Sequence, residues 1–245
     1  MLKNGGDVAQ AHPAQLTCRA LRNRGLETPN AEPAPRDQER RRLVNRSSLA
    51  STHRVAEENR MKANQPITVE IIQAMLQAQG FYHGKIDNDW GPQTQAAMDS
   101  FQRKQGAIPP PWLIVAEREL GVHETPGPQA THRIIEYAEH TTLNATSDEI
   151  PWCSSFVNFC IDLAGYKGTH SAAARSWSRW ALPTKFRYGA VAVFSRGDPD
   201  SGMGHVGFAL FTNGNTIALL AGNQSDRVCV HTMTTDRLLT LRWPA

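Results

Sequence analysis

The sequence predicts an α+β protein in which helices come first and antiparallel strands follow. Three observations carry this. Between residues 66 and 181, apolar side chains recur at helical spacing in several short segments. After Tyr188 the pattern changes to alternating or continuous apolar runs of strand length, bounded by Gly, Asn and Asp. Residues 1–60 contain no Phe, Tyr, Trp or Ile and include the Pro- and charge-rich "NAEPAPRDQERRR". That segment has too little apolar surface to offset the entropy of ordering it.

Taken in order, residues 1–60 read as a disordered tail or as an extension upstream of the true start, with at most a short helix around Ala50–Arg60. Order is expected to begin near Met61. "ITVEIIQAMLQAQG" places Val69, Ile72, Met75 and Leu76 on one helical face, and Gly80 sits where a helix would stop. A Gly, Asn and Asp cluster then reads as a loop. "GPQTQAAMDSFQRKQG" reads as a second amphipathic helix, with Pro92 near its start and Gly106 after its end. "AIPPPW" at 107–112 is a stiff connector or the start of the next unit. "LIVAERELGVHE", "HRIIEYAEHTT" and "PWCSSFVNFCIDLAGY" give three more helices, and "SAAARSWSRWA" a shorter fourth. "GAVAVFSR", "GHVGFALFTNG", "NTIALLAGNQ" and "RVCVHTM" are the strands. The domains expected are 1–60 as extension, 64–107 as a small helical module, and 112–245 as an α+β domain.

The net charge of +3 is unevenly spread. Residues 1–60 carry eleven Lys or Arg against seven Asp or Glu, leaving fifteen against sixteen in the remainder. That remainder has no charge signature of a nucleic-acid binder. No apolar run approaches eighteen residues and the N-terminus has no apolar signal core, so neither membrane insertion nor a secretory signal is expected. The four cysteines contain no Cys-x-x-Cys pair, which argues against a disulfide scaffold.

Cys153 is the residue that raises a chemical question. Pro151 suits a first helical turn, so Cys153 should open the helix running to about Leu163. Unpaired N–H groups and the helix dipole favour an anion there, and the thiol is expected to titrate below the free value of about 8.5. Cys160, seven residues on, falls mid-helix among apolar residues and reads as core. A cysteine nucleophile needs a base and a group that orients the base. His205, in "GMGHVGFAL", has small neighbours that admit a substrate backbone, whereas His231, His123 and His132 carry no such signal. Asn223, eighteen residues past His205, ends the next strand, with Gln224 and Asp226 as alternatives. Zinc held by His205, Cys229 and His231 is the competing chemistry.

Residues 66–106 resemble the peptidoglycan-binding-domain-like family of three-helix modules. The residues that carry this are Phe81, Tyr82, Asp87, Trp90, Gly91, Pro92, Thr94, Phe101, Gln102 and Gly106. The resemblance implies a cell-wall anchor, with Tyr82 and the loop polar groups as ligand candidates and Trp90 and Phe101 as core. "PWLIVAERELGVHETPG", "IPWCSSFVNFCIDLAG", "GTHSAAARSW" and "GNQSD" resemble the CHAP group of papain-like amidohydrolases and peptidases. That resemblance implies helices packed on an antiparallel sheet, with Cys153 as nucleophile, His205 as base and Asn223 as polar third member. It implies acyl transfer without metal or cofactor. Trp152, Arg175, Trp177, Gln224 and Tyr82 are the substrate contacts expected, Arg175 through a stem-peptide carboxylate. The pairing implies a monomeric peptidoglycan hydrolase that cuts an amide in the stem peptide or between glycan and stem. The setting it suggests is that of a phage endolysin, held in the host cytoplasm until released to the wall. An injected antibacterial effector or a catalytically inactive wall-binding protein is the alternative.

Overall fold

The structure, a computed structural model, describes residues 66–244 apart from 128 and 144. The segment 1–60, its helix expected around Ala50–Arg60 and the start of order at Met61 lie outside the described residues. Helix α1 spans Val69–Ala78 and is capped by Thr68, whose hydroxyl accepts from the Ile71 N–H. Val69, Ile72 and Leu76 are buried along one face, as the spacing predicts. Gly80 takes φ +76° just past the helix, a conformation that costs a residue with a Cβ but not glycine. Helix α2, Pro92–Lys104, starts with proline at its first turn, where the missing N–H has no intrahelical partner to lose.

Gln73 is the polar centre of this segment. Its amide nitrogen donates to Asp87 Oδ1 at 2.9 Å and to the Asp89 carbonyl at 2.8 Å. Its oxygen accepts from the main-chain N–H groups of Asp87 and Asn88. One buried side chain thereby fixes the loop between the two helices, since each of those groups would cost about 1–3 kcal/mol if left unpaired.

The segment 64–107 holds two helices among the described residues, where three were expected. Its core is completed by the rest of the chain instead. Phe101 packs against Phe211 with ring centroids 6.4 Å apart, and the Gln102 amide donates to the Leu210 carbonyl at 3.0 Å. Tyr188, Asp99, Gln95 and Glu117 meet in a half-buried polar knot between α2 and the residues that follow.

Three further helices follow: α3 Pro111–Arg118, α4 His132–Glu139 and α5 Cys153–Leu163. The short helix expected at "SAAARSWSRWA" is a 3-10 helix, Ala174–Arg179. The strands are β1 Leu182–Pro183, β2 Ala190–Ser195, β3 Gly204–Thr212, β4 Thr216–Ala221, β5 Cys229–Thr234 and β6 Leu238–Trp243. They form one antiparallel sheet in the order β1-β6-β2-β3-β4-β5. The four strands predicted are present. β1 and β6 are additions, and β6 enters between β1 and β2.

Strand alternation gives the sheet two different faces. Val191, Val193, Val206, Phe208, Leu220 and Val230 belong to the main core together with α5. Phe156 of α5 meets Phe208 edge-on at 6.2 Å, and burying each such ring contributes about 2 kcal/mol. The opposite face carries smaller residues, Ala190, Ala192, Ala209 and Ala221, beside Phe194 and Leu219. Among the described residues no helix is long and apolar enough to cross a membrane.

Candidate active site

Cys153 opens α5, as Pro151 predicts, with Trp152 as the capping residue. The cap supplies no side-chain hydrogen bond, so the first-turn N–H groups remain available to the thiol. The thiol is buried, and that burial pushes it up from its ordinary value. The main-chain N–H groups of Val206 and Ser154 and the charge of Arg196 pull the other way without prevailing. The expected depression of the thiol is therefore corrected: at this helix start, loss of water outweighs the dipole. Cys160 is fully buried, as expected of a core residue.

The Val206 N–H that serves the thiol belongs to the residue after His205. Helix α5 packs on β3, and Cys153 opens the helix while His205 stands at the start of the strand. His205 is buried at the start of that strand, opposite Phe194 of β2. Burial, chiefly, brings its imidazole down to about 4, so it is neutral at pH 7.

The side chain that orients His205 is Gln224. His205 Nε2 lies 3.2 Å from Gln224 Oε1. The Gln224 amide nitrogen donates to the carbonyls of Leu219 at 3.2 Å and Cys229 at 2.7 Å. Two carbonyls can only accept, which fixes the NH₂ on their side and the oxygen on the side of His205. The amide oxygen in turn requires a donor, so the neutral imidazole carries its proton on Nε2 and leaves Nδ1 as the basic nitrogen.

Asn223 does not reach His205 in this arrangement. It sits in a left-handed turn, φ +55°, and its amide is directed to Glu124 Oε1 at 3.5 Å. The assignment of Asn223 as the group that orients His205 is thus corrected. Strand spacing alone points to Asn223, but the left-handed residue turns the chain and brings Gln224 back under the sheet. Asp226 also lies in left-handed backbone, and its carbonyl accepts from the Glu124 N–H.

The expected substrate contacts separate into two groups. Trp177 is fully buried and its indole N–H donates to Ser154 Oγ at 2.9 Å, so it braces α5 rather than lining a cleft. Tyr82 is buried as well, its hydroxyl donating to the Lys85 carbonyl at 2.7 Å. Trp152 is buried against Gly222 and donates to Glu124 Oε1 at 2.7 Å. Arg175 Nε donates to the Met203 carbonyl at 2.8 Å and so supports the loop before β3. Indoles and phenols satisfy their polar tips when buried, which is why these residues read as surface contacts in a sequence and as braces in the fold. Gln224 lines an open groove of about 240 Å³, together with Ser195, Arg196, His205, Asn223, His231, Thr232, Met233 and Arg237.

Sequence reasoning missed Glu124, Arg196 and Arg237. Arg196 had a signal, standing at the end of "GAVAVFSR" where a buried strand meets a loop. Glu124 had none, because its neighbours Trp152 and Asn223 are distant in sequence. His205, Cys229 and His231 do not come together as a metal-ligand set: among the described residues no three His, Cys, Asp or Glu do so.

The family model described as putative peptidoglycan binding domain matches residues 67–108. The matched stretch is the two-helix segment organised by Gln73, and it supports a peptidoglycan-associated protein whose partner is the cell wall. Neither a curated protein nor a solved structure matches the chain.

Proposed function

We propose that this chain is a cysteine-dependent peptidoglycan hydrolase of the CHAP, papain-like kind, an amidase or endopeptidase serving bacterial lysis. The observation that carries this reading is the convergence of a helix-start cysteine, a neutral histidine and its amide partner at one end of β3. It occurs in a chain that also carries a match to a wall-binding domain. Holding that domain against the wall raises the effective concentration of scissile amides at the site.

In the proposed reaction, His205 Nδ1 takes the proton of the Cys153 thiol as Sγ attacks the amide carbonyl. With the thiol pushed up and the imidazole brought down, the resting pair is neutral, and the proton moves during attack rather than before it. Main-chain N–H groups of the first turn of α5 stabilise the oxyanion. The imidazolium then protonates the leaving amine as the C–N bond breaks. Water, deprotonated by His205, releases the acyl group as a carboxylic acid and restores the thiol. Gln224 holds the Nε2 tautomer through both steps.

Alkylation of the protein with iodoacetamide should abolish release of amino groups from purified sacculi, while a chelator should leave it intact. The reverse pattern would favour a zinc amidase and contradict the proposal. The burial of Cys153 favours a second reading, a wall-binding protein without turnover. It requires sedimentation with sacculi and no amine release under any condition.

A further inference from the structure

The groove beside His205 is one-sided in charge. Arg196 and Arg237 line it together with His205 and His231, and no Asp or Glu does. Both arginines are exposed, and neither forms an ion pair with a carboxylate among the described residues. The position of Arg196 is set by main-chain bonds: its N–H donates to the Met203 carbonyl and its own carbonyl accepts from Ser201 Oγ. Arg237 follows a similar logic, its carbonyl accepting from Ser195 Oγ at 3.4 Å. Main-chain bonds thus hold both arginines where they line the same groove. Arg196 directly follows β2, whose last residues Phe194 and Ser195 pair with His205 and Gly204, so it stands next to the start of β3.

An unpaired arginine costs little in water, but two that line an acid-free groove give it a positive charge that favours an anion. A guanidinium fork matches a carboxylate in bidentate geometry. The stem peptides of peptidoglycan carry free carboxylates next to their amide bonds. We propose that Arg196 and Arg237 form an anion subsite that binds a stem-peptide carboxylate adjacent to the scissile amide. This rests on the hydrolase reading for the identity of the ligand, and it replaces Arg175, whose Nε serves the Met203 carbonyl. The subsite makes the enzyme selective for stems whose carboxylate is free over those in which it is amidated.

The test uses the full chain bearing Cys153→Ser, so that binding is read without turnover. Isothermal calorimetry compares a soluble stem tetrapeptide with its carboxamide counterpart, in this background and with Arg196→Gln, Arg196→Lys or Arg237→Gln added. A charge-assisted hydrogen-bonded pair predicts that the free acid binds about tenfold to a hundredfold more tightly than the amide. Arg196→Gln should erase that preference and Arg196→Lys should keep part of it, because Lys retains the charge and loses the fork. Equal affinity for acid and amide, no binding of either, or a preference untouched by both glutamine variants would overturn the subsite. A preserved preference in a protein that releases no amine from sacculi would overturn the hydrolase reading and leave the subsite standing. Cysteine-dependent hydrolysis without acid preference would do the opposite.

Discussion

Gln224 offers the most demanding check on the geometry. Its amide makes three hydrogen bonds, to His205 and to two main-chain carbonyls, and the residue is buried. Gln224→Ala removes all three and leaves the carbonyls of Leu219 and Cys229 without this partner. At about 1 kcal/mol net for each bond, the loss is about 3 kcal/mol. For a unit of this size that lowers the melting temperature by about 6–12 °C. Asn223→Ala removes one contact at 3.5 Å and places alanine in left-handed backbone, a cost of about 1 kcal/mol. If the hydrolase reading holds, Gln224→Ala should also reduce kcat/KM far more than Asn223→Ala, because His205 loses the acceptor that fixes its tautomer. Calorimetric melting and amine release from sacculi measure the two effects. Equal losses, or a larger loss for Asn223→Ala, would refute the assignment of Gln224 as the orienting residue.

Three further expectations concern the surroundings. A methyl group at Gly222 would lie 2.4 Å from the Trp152 ring and 2.8 Å from Phe156 Cβ, so Gly222→Ala should force the start of α5 away from β4. The overpacking should cost about 1–3 kcal/mol and lower hydrolysis with it, and unchanged melting would contradict the packing described. Glu117 is pushed up to about 8, first by burial and then by Asp99, so the folded chain holds a proton there that the unfolded chain releases above its ordinary value of 4.5. Stability should therefore fall as pH rises from 4.5 through 8, and Glu117→Gln should be more stable than the parent at pH 9; a less stable variant at that pH would contradict this. His205 titrates in the other direction: at about 4 when folded against 6.5 in water, it loses stability as pH falls from 6.5 through 4. The acid limb of kcat/KM should accordingly fall near pH 4, and a limb near 6.5 would show a solvated imidazole.

Much of the fold was legible because the signals were local. Helical spacing and glycine stops located α1, α2 and α5, and the change to strand-length apolar runs located β2 to β5. β6 was not legible, because "LLTLRW" mixes Arg and Thr into a short run and its pairing with β2 depends on contacts fifty residues away in sequence. The positions of Cys153 and His205 were legible, since both sit at element starts marked by Pro151 and by the glycines around His205. The site's third member was not. The choice between Asn223 and Gln224 rests on a left-handed turn, and the sequence shows only that Asn tolerates one. The pKa of Cys153 was misjudged for a similar reason: position at a helix start is a sequence property, but burial under β3 is a tertiary one. Trp177 and Tyr82 were expected as contacts from the family resemblances, and the fold buries both with their polar tips bonded.

Cleavage of peptidoglycan by Cys153 is tested by one digestion. Purified sacculi would be incubated with the full chain and with Cys153→Ala, and the soluble fragments identified by mass spectrometry. Fragments are expected from the parent alone, with a new amine on one product and a new carboxylate on the other at each stem-peptide or glycan–stem amide cut. Equal fragmentation by Cys153→Ala, or no fragments from a parent that still sediments with the sacculi, would contradict it.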